Sequence, residues 1–97
     1  MIDFSQLDKT IHEKGRLSIM TLLSTRPTWV FQELKNELEM SDGNLITHLR
    51  TLQKAGYLTS LKNPAKRETG YSLTDEGRRA FESYIGLLEK IINASKS

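Results

Sequence analysis

One segment, residues 41–62 with the sequence SDGNLITHLRTLQKAGYLTSLK, constrains what this chain can fold into more than any other. Ser41 is a favourable N-cap residue, and Gly56 suits the left-handed conformation that ends many helices. Between them, apolar residues recur at spacings of four and three and make one stripe: Leu45, Leu49 and Leu52. The pattern predicts a helix over residues 41–55 with one side in a core and a polar, partly basic side outside, followed directly by a short strand.

A second amphipathic helix precedes this one with almost no connection. Residues 31–38, FQELKNEL, place their three apolar residues on one stripe, and only Glu39 and Met40 then separate them from Ser41. The sequence therefore predicts two helices joined by a tight turn.

The N-terminal part is expected to be mostly helical. Apolar spacing predicts a short leading helix that starts near Phe4, a break between His12 and Gly15, and a second helix over residues 16–24. Residues 28–30 have the β-branched and aromatic character of a very short strand.

After the segment 41–62, the pattern changes from strand to helix. Residues 58–61 and 69–73 read as two strands around the polar turn 63–67, which predicts a hairpin. Thr74 caps a last helix whose apolar series runs to Ile92, and residues 94–97 are expected to be frayed.

Length and composition exclude several classes of protein. At 97 residues and 37% hydrophobic content, the chain suits one small domain, residues 1–97. The lack of cysteine excludes disulfides and thiolate metal sites, and with only His12 and His48 as histidines we expect no metal. The sequence has no secretion signal and no apolar run that could cross a bilayer, so we expect a cytoplasmic protein without a membrane partner.

Charge is concentrated in the middle of the chain. The net charge is only +2, but residues 42–69 carry five basic against two acidic side chains. Two helices with a tight connection, followed by a hairpin with a basic tip, describe a helix-turn-helix with a wing. The predicted fold class is mainly α with a small β wing (α+β), with an N-terminal helix and a long C-terminal helix.

Three stretches carry a family resemblance: GRLSIMTLL (15–23), FQELKNELEMSDGNLITHLRTLQKAGYL (31–58) and YSLTDEGRRAF (71–81). The chain resembles small winged-helix transcriptional regulators of the MarR/ArsR/PadR type, over roughly residues 12–85. The resemblance implies a winged core over residues 12–74 and a dimerisation helix over residues 75–93. It also implies binding of double-stranded DNA by a homodimer, with helix 41–55 in the major groove and the wing, 63–69, near the minor groove or the backbone.

With the leucine stripe turned inward, the other side of helix 41–55 remains to meet DNA. The candidate DNA-binding residues lie on that side and on the wing: Ser41, Asp42, Gly43, Asn44, Thr47, His48, Arg50, Thr51, Lys54, Lys62, Lys66, Arg67 and Thr69. Asn44 can pair with adenine through two hydrogen bonds, and Arg50 suits guanine or phosphate. We expect base contacts from Asn44 and Thr47.

Several of these residues have a second interpretation. Gly43 either lets the backbone approach DNA or is merely tolerated at a helix start, and Asp42 is better explained as a charge at the positive helix end than as a cytosine contact. His48 suits a phosphate contact or helix packing. Lys66 and Arg67 have the reach to enter a minor groove or neutralise phosphate, the alternative being simple solvation.

The last helix continues past the winged unit with apolar residues that water would wet in a monomer. Pairing with a second copy would bury them, and the predicted dimer interface is Phe4, Leu7, Ile11, Phe81, Tyr84, Ile85, Leu88, Ile91 and Ile92. A two-fold dimer sets two recognition helices about 34 Å apart and predicts a roughly palindromic site. The alternative is that this helix folds back on its own domain.

The sequence is compatible with a second class of function and disfavours a third. A winged helix can serve as a protein-binding module in a larger assembly, with which the acidic residues Glu33, Glu37 and Glu39 are compatible. An enzyme is disfavoured, because the sequence has no glycine-rich phosphate loop, no cysteine nucleophile and no clustered acid, base or metal-ligand set. No cofactor is expected, and no pattern identifies a small-molecule effector.

Overall fold

Four helices and a three-stranded antiparallel sheet make up residues 2–96, the part of the chain that the computed structural model describes. The helices are α1 (Lys14–Leu23), α2 (Phe31–Leu38), α3 (Asp42–Lys54) and α4 (Asp75–Ser95). The strands are β1 (Trp29–Val30), β2 (Leu58–Asn63) and β3 (Glu68–Leu73), and β3 lies in the centre of the sheet. The winged-helix prediction is confirmed.

Helix boundaries follow the capping residues that the sequence shows. The Ser41 hydroxyl accepts a hydrogen bond from the Asn44 N–H at 3.2 Å and opens α3, and Gly56, with φ 83°, follows its end. The turn between α2 and α3 is tight because Glu39 itself adopts a left-handed conformation with φ 51°. At α4 the Thr74 hydroxyl accepts from the Gly77 N–H at 2.9 Å.

The sheet carries the wing. Strands β2 and β3 pair in register from Leu58 opposite Leu73 to Asn63 opposite Glu68, and β1 adds Trp29 opposite Tyr71. Compared with the predicted strands 58–61 and 69–73, β2 is two residues longer and β3 is one residue longer, so the turn holds only residues 64–67. Antiparallel pairing of the short β1 ties the start of α2 to the wing.

The core lies between α1, α2, α3 and the base of the wing. Its buried residues are Ile11, Ile19, Met20, Leu23, Leu34, Leu45, Leu49, Leu52, Leu58 and Tyr84. The three leucines of the α3 stripe are at most 1% exposed, as the sequence predicts. Ile11 and Tyr84 were expected at a dimer interface, but they are 0% and 3% exposed. That expectation is wrong for both residues, because their own chain already covers them.

Two predictions about the ends of the chain are corrected. The leading helix is only a 3₁₀ turn, Phe4–Gln6, because the Asp8 carboxylate accepts from the N–H groups of Thr10 and Ile11 and holds the chain in a turn. At the other end, α4 continues through Ala94 and Ser95 where fraying was expected. Met1 and Ser97, including the last residue of the expected frayed tail, lie outside the described residues.

Candidate nucleic-acid interface

The outer side of α3 is open to solvent along its whole length. Most of the predicted residues on it are exposed, namely Ser41, Asp42, Gly43, Asn44, Thr47, Arg50 and Lys54, whereas His48 and Thr51 are half-buried. Because the leucine stripe on the opposite side is fully buried, the helix cannot rotate without exposing its core contacts. This fixed orientation is what a recognition helix needs.

Hydrogen bonding separates the polar residues of this side into two kinds. The hydroxyl of Thr47 donates to the Gly43 carbonyl at 2.9 Å, and that of Thr51 donates to the Thr47 carbonyl at 3.1 Å. Each threonine therefore offers a methyl group and an oxygen lone pair rather than a free proton. The Asn44 side chain makes no hydrogen bond to any of residues 2–96, so both its donor and its acceptor are free.

His48 packs against α1. A Cβ built on Gly15 would lie 2.6 Å from the His48 Nε2, so only glycine leaves room for this ring. The His48 Nδ1 lies 3.6 Å from the Glu13 Oε1, too far for a good hydrogen bond. Glu13 caps α1, and hydrogen bonds from the backbone N–H groups of Arg16 and Gly15 lower the pKa of its carboxyl. Sequence reasoning missed this contact, since nothing local links Gly15 to His48.

Asp42 forms an ion pair that the sequence did not predict. Its Oδ1 lies 2.9 Å from the Nζ of Lys35, which belongs to the last turn of α2. The charge at the start of α3 is therefore balanced from the neighbouring helix.

The wing lies beside α3. Side chains alternate along β2 and Leu58 is buried, so the face of β2 that is turned towards the helices also carries Ser60 and Lys62. The Ser60 hydroxyl accepts a hydrogen bond from Gln53 Nε2 of α3 at 3.1 Å. Lys62 is paired in register with the half-buried Thr69 on β3.

Three basic residues flank this arrangement. Burial raises the pKa of the Tyr71 phenol, and the nearby charge of Arg50 opposes that shift. The wing tip presents Lys66 and Arg67, both exposed, with Arg67 at φ 53° in the left-handed region. The structure thus brings the outer side of α3 and the basic wing onto neighbouring parts of the molecule.

The long α4 is covered by its own chain only in part. Phe81, Ile85 and Leu88 pack against the core, as does Leu7 from the N-terminal segment. Within residues 2–96, Leu87, Ile91 and Ile92 do not join that packing, and Ile92 is 50% exposed. Phe4, in the 3₁₀ turn, is 59% exposed. Leu87 was not among the predicted interface residues.

Polar contacts fix the middle of α4 to the N-terminal segment. His12 Nδ1 lies 2.7 Å from the Tyr84 hydroxyl, and the Tyr57 hydroxyl donates to Asp8 in the same region. Burial and the bond to Asp8 raise the pKa of Tyr57 to about 12. These contacts hold residues 8–12 in the turn that replaces the expected leading helix.

No group of three or more histidine, aspartate or glutamate side chains among residues 2–96 could hold a metal ion. None of the helices in that range combines the length and the apolar character that a membrane span requires.

Comparison with known proteins identifies the family. The family profile described as winged helix DNA-binding domain matches residues 16–92. An uncharacterized protein of Methanocaldococcus jannaschii is 36% identical over 79 residues, which cover 79% of this chain and 86% of that protein.

Solved structures show the same architecture. The transcriptional regulator homologue from Pyrococcus horikoshii OT3 has a TM-score of 0.89 and 25% identity, and the match covers 96% of this chain and 95% of that one. The structure of MarR has a TM-score of 0.77 at 16% identity, where 89% of this chain matches 64% of that chain, and at this identity it shows the fold alone. Transcriptional regulators of this kind are generally not enzymes. The chain belongs to the winged helix DNA-binding domain family and has the fold of the MarR-like transcriptional regulators.

Proposed function

We propose that the protein is a sequence-specific transcriptional regulator that binds double-stranded DNA as a homodimer. In this proposal α3 lies in the major groove and the wing tip lies at the minor groove or the backbone. The single observation that supports this proposal is the outer side of α3, which is polar and solvent-exposed and is held in place by the fully buried leucine stripe. The chain that carries this surface belongs to a DNA-binding family. Residues 12–74 form the DNA-binding unit.

Asn44 and Thr47 are the proposed base-reading residues. Asn44 lies in the first turn of α3 with its amide free on both sides, which suits a paired hydrogen bond to adenine. Thr47 follows one turn later, and its methyl group suits thymine because its hydroxyl proton is already used within the helix. We assign base contacts to these two residues rather than to Arg50 and Lys54, because the N-terminal turn of α3 is the part of the helix that enters the groove most deeply.

The basic residues provide affinity without base preference. Arg50 and Lys54 on α3, and Lys62, Lys66 and Arg67 on the wing, are all exposed. We assign them to phosphate contacts, whose strength depends on salt because condensed counterions are released. Ser41, Gly43, Thr51 and Thr69 complete the proposed surface, and His48 supports it from below through its packing on Gly15.

A second copy of the chain is the proposed partner of α4. The interface consists of the predicted residues that keep accessible surface, together with one that the structure adds: Phe4, Leu7, Phe81, Ile85, Leu87, Leu88, Ile91 and Ile92. The exposed Ile92 and the half-buried apolar residues along this helix of 21 residues, about 31 Å long, leave apolar surface in water, which is costly. A two-fold axis through this surface leads to a palindromic operator.

Selection of bound duplexes from a random pool tests the proposal and gives the operator. Asn44→Ala should then relax the preference at one position of each half-site by about 1 to 3 kcal/mol. Asn93→Ala, an exposed asparagine on distal α4, is the matched control and should leave the preference unchanged. An unchanged preference in Asn44→Ala would show that the base-reading assignment is wrong.

The alternative function, a protein-binding module without DNA binding, rests on the acidic face of α2. The structure weakens this argument for Glu33, which accepts from the Val30 N–H at 2.9 Å and lies 2.7 Å from Arg26. Glu37 and Glu39 are exposed. A lack of binding to any mixed duplex at low salt would support the alternative, whereas affinity that falls steeply with salt supports DNA binding.

A further inference from the structure

The ion pair between Lys35 and Asp42 crosses the turn from α2 to α3. Its two atoms are 2.9 Å apart, and the side chains are 36% and 65% exposed. The backbone of Lys35 also closes α2, because its carbonyl accepts from the N–H groups of Glu39 and Met40. Lys35 is therefore held where the turn begins, and its side chain reaches over to the first residue of α3.

Among residues 2–96, the Asp42 side chain accepts no hydrogen bond from a backbone N–H group. The N-cap of α3 is Ser41, whose hydroxyl already accepts from the Asn44 N–H. Asp42 contributes only a favourable charge at the positive end of the helix. In a helix that enters a DNA groove by its N-terminal turn, the same charge repels phosphates on both sides of the groove.

We propose that Lys35 is a positioning residue of the DNA surface, because it neutralises Asp42 and so lets the N-terminal turn of α3 approach the phosphate backbone. The inference rests on the proposed DNA-binding function and adds a residue of α2 to it. Lys35 acts through the charge of Asp42, without reading a base. The pair keeps the stabilising charge at the helix start and removes its cost in DNA binding.

A purely structural ion pair would behave differently. Exposed pairs contribute little to folding, so breaking this one should hardly change the free energy of unfolding. If the pair served only to tie α2 to α3, removing either partner would weaken DNA binding. If Lys35 compensates for a repulsive charge, removal of the aspartate charge strengthens binding and removal of the lysine charge weakens it.

The test measures affinity of the full chain for one duplex by fluorescence anisotropy at low and moderate salt. Asp42→Asn should bind about fivefold tighter and Lys35→Met about fivefold weaker, the effect of one uncompensated charge near several phosphates. The double variant should return close to the wild-type affinity. Thermal unfolding of Asp42→Asn should occur at a slightly lower temperature, since the helix loses a favourable charge, so stability and affinity move in opposite directions.

Glu89→Gln is the control for net charge, because it removes one exposed carboxylate from the distal part of α4. Its affinity should stay within about twofold of the wild type, since the charge lies beyond screening distance of the DNA. The inference is overturned if Asp42→Asn binds more weakly than the wild type or no more tightly than Glu89→Gln. A wild-type chain that binds no duplex at low salt would overturn the proposed function as well, whereas wild-type binding without the variant pattern overturns the inference alone.

Discussion

Helix α3 and the distal part of α4 present opposite chemistry to solvent. Every apolar residue of the α3 stripe is buried, and the side that remains is polar and basic. In distal α4 the uncovered residues Leu87, Ile91 and Ile92 are apolar. The outer side of α3 is therefore well solvated without a partner, whereas distal α4 leaves apolar area in contact with water.

The difference indicates two kinds of partner. A hydrated polar surface costs little free energy when it is unbound, so it suits reversible binding to a partner such as DNA, whose affinity depends on salt. An apolar helical surface gains by permanent burial, which suits a second protein subunit. We therefore expect substitutions on the two surfaces to have separable effects, with DNA affinity changing in one case and the oligomeric state in the other.

The largest effect is expected at the start of α4, where that helix packs against the chain that follows α3. Gly77, in the first turn of α4, lies against Tyr57, just after α3, and a Cβ at Gly77 would overlap the Tyr57 carbonyl oxygen. Both groups are backbone and cannot turn aside, so Gly77→Ala should lower the free energy of unfolding by about 3 kcal/mol in urea denaturation.

The matched control lies on the same helix. Gly86 has open space around a built Cβ, so Gly86→Ala should stabilise the fold by about 0.5 to 1 kcal/mol through helix propensity. Equal effects of the two substitutions would show that the start of α4 does not depend on its contact with Tyr57.

The second prediction concerns the apolar surface. Ile92→Glu places a carboxylate in the proposed interface at a cost of about 2 kcal/mol, and the dimer dissociation constant should rise about thirtyfold in analytical ultracentrifugation. Ile92 is half-exposed in the single chain, so the winged unit itself should stay folded. Asn93→Glu, one residue away and exposed, should dimerise normally. A wild-type chain that sediments as a monomer would contradict the proposal that distal α4, unlike α3, binds a second copy of the chain.

The third prediction concerns the polar surface. Apart from its chain neighbours and the backbone of its own helix, no atom of the described chain lies within 4 Å of a Cβ built on Gly43, so Gly43→Ala has room in the protein and should be as stable as the wild type or slightly more so. DNA affinity should nevertheless fall about fivefold, the effect of losing one close hydrogen bond from the backbone to phosphate. Unchanged affinity would mean that glycine is merely tolerated at this helix start.

The smallest expected effect is on the pH dependence of the free energy of unfolding, through Glu13, which lies next to His48 of α3. Hydrogen bonds from the Arg16 and Gly15 N–H groups lower the pKa of Glu13 in the folded chain. Its stabilising contribution is therefore complete above the unfolded-state pKa of a glutamate and is lost as the pH falls through the lower folded-state pKa.

Glu13→Gln keeps an oxygen acceptor but does not titrate. Its free energy of unfolding should therefore fall less than that of the wild type as the pH is lowered. Urea denaturation between pH 3 and 7, about the range over which a glutamate titrates, measures this. Glu89→Gln should reproduce the wild-type profile, and identical profiles for all three proteins would contradict the assignment.

Much of the candidate site could be predicted from the sequence. The inward leucine stripe, the Ser41 cap, the glycine stop and the tight turn before α3 all depend on residues within a few positions of each other. The same holds for the basic tip of the wing. What could not be predicted are partners far apart in the chain, such as Gly15 beneath His48 and Tyr57 against Gly77.

From α1 to α4, the sequence alone determined which segments form helices and strands and which side of each helix is apolar, because capping and periodicity act over one or two turns. Only the tertiary structure decided that Tyr57 and Tyr84 hold residues 8–12 in place, that Ile11 and Tyr84 lie inside the core, and that Lys35 pairs with Asp42. These outcomes depend on which surfaces meet once the elements pack together. An apolar or charged residue shows in the sequence only that it needs a partner, and the packed fold decides which partner it finds.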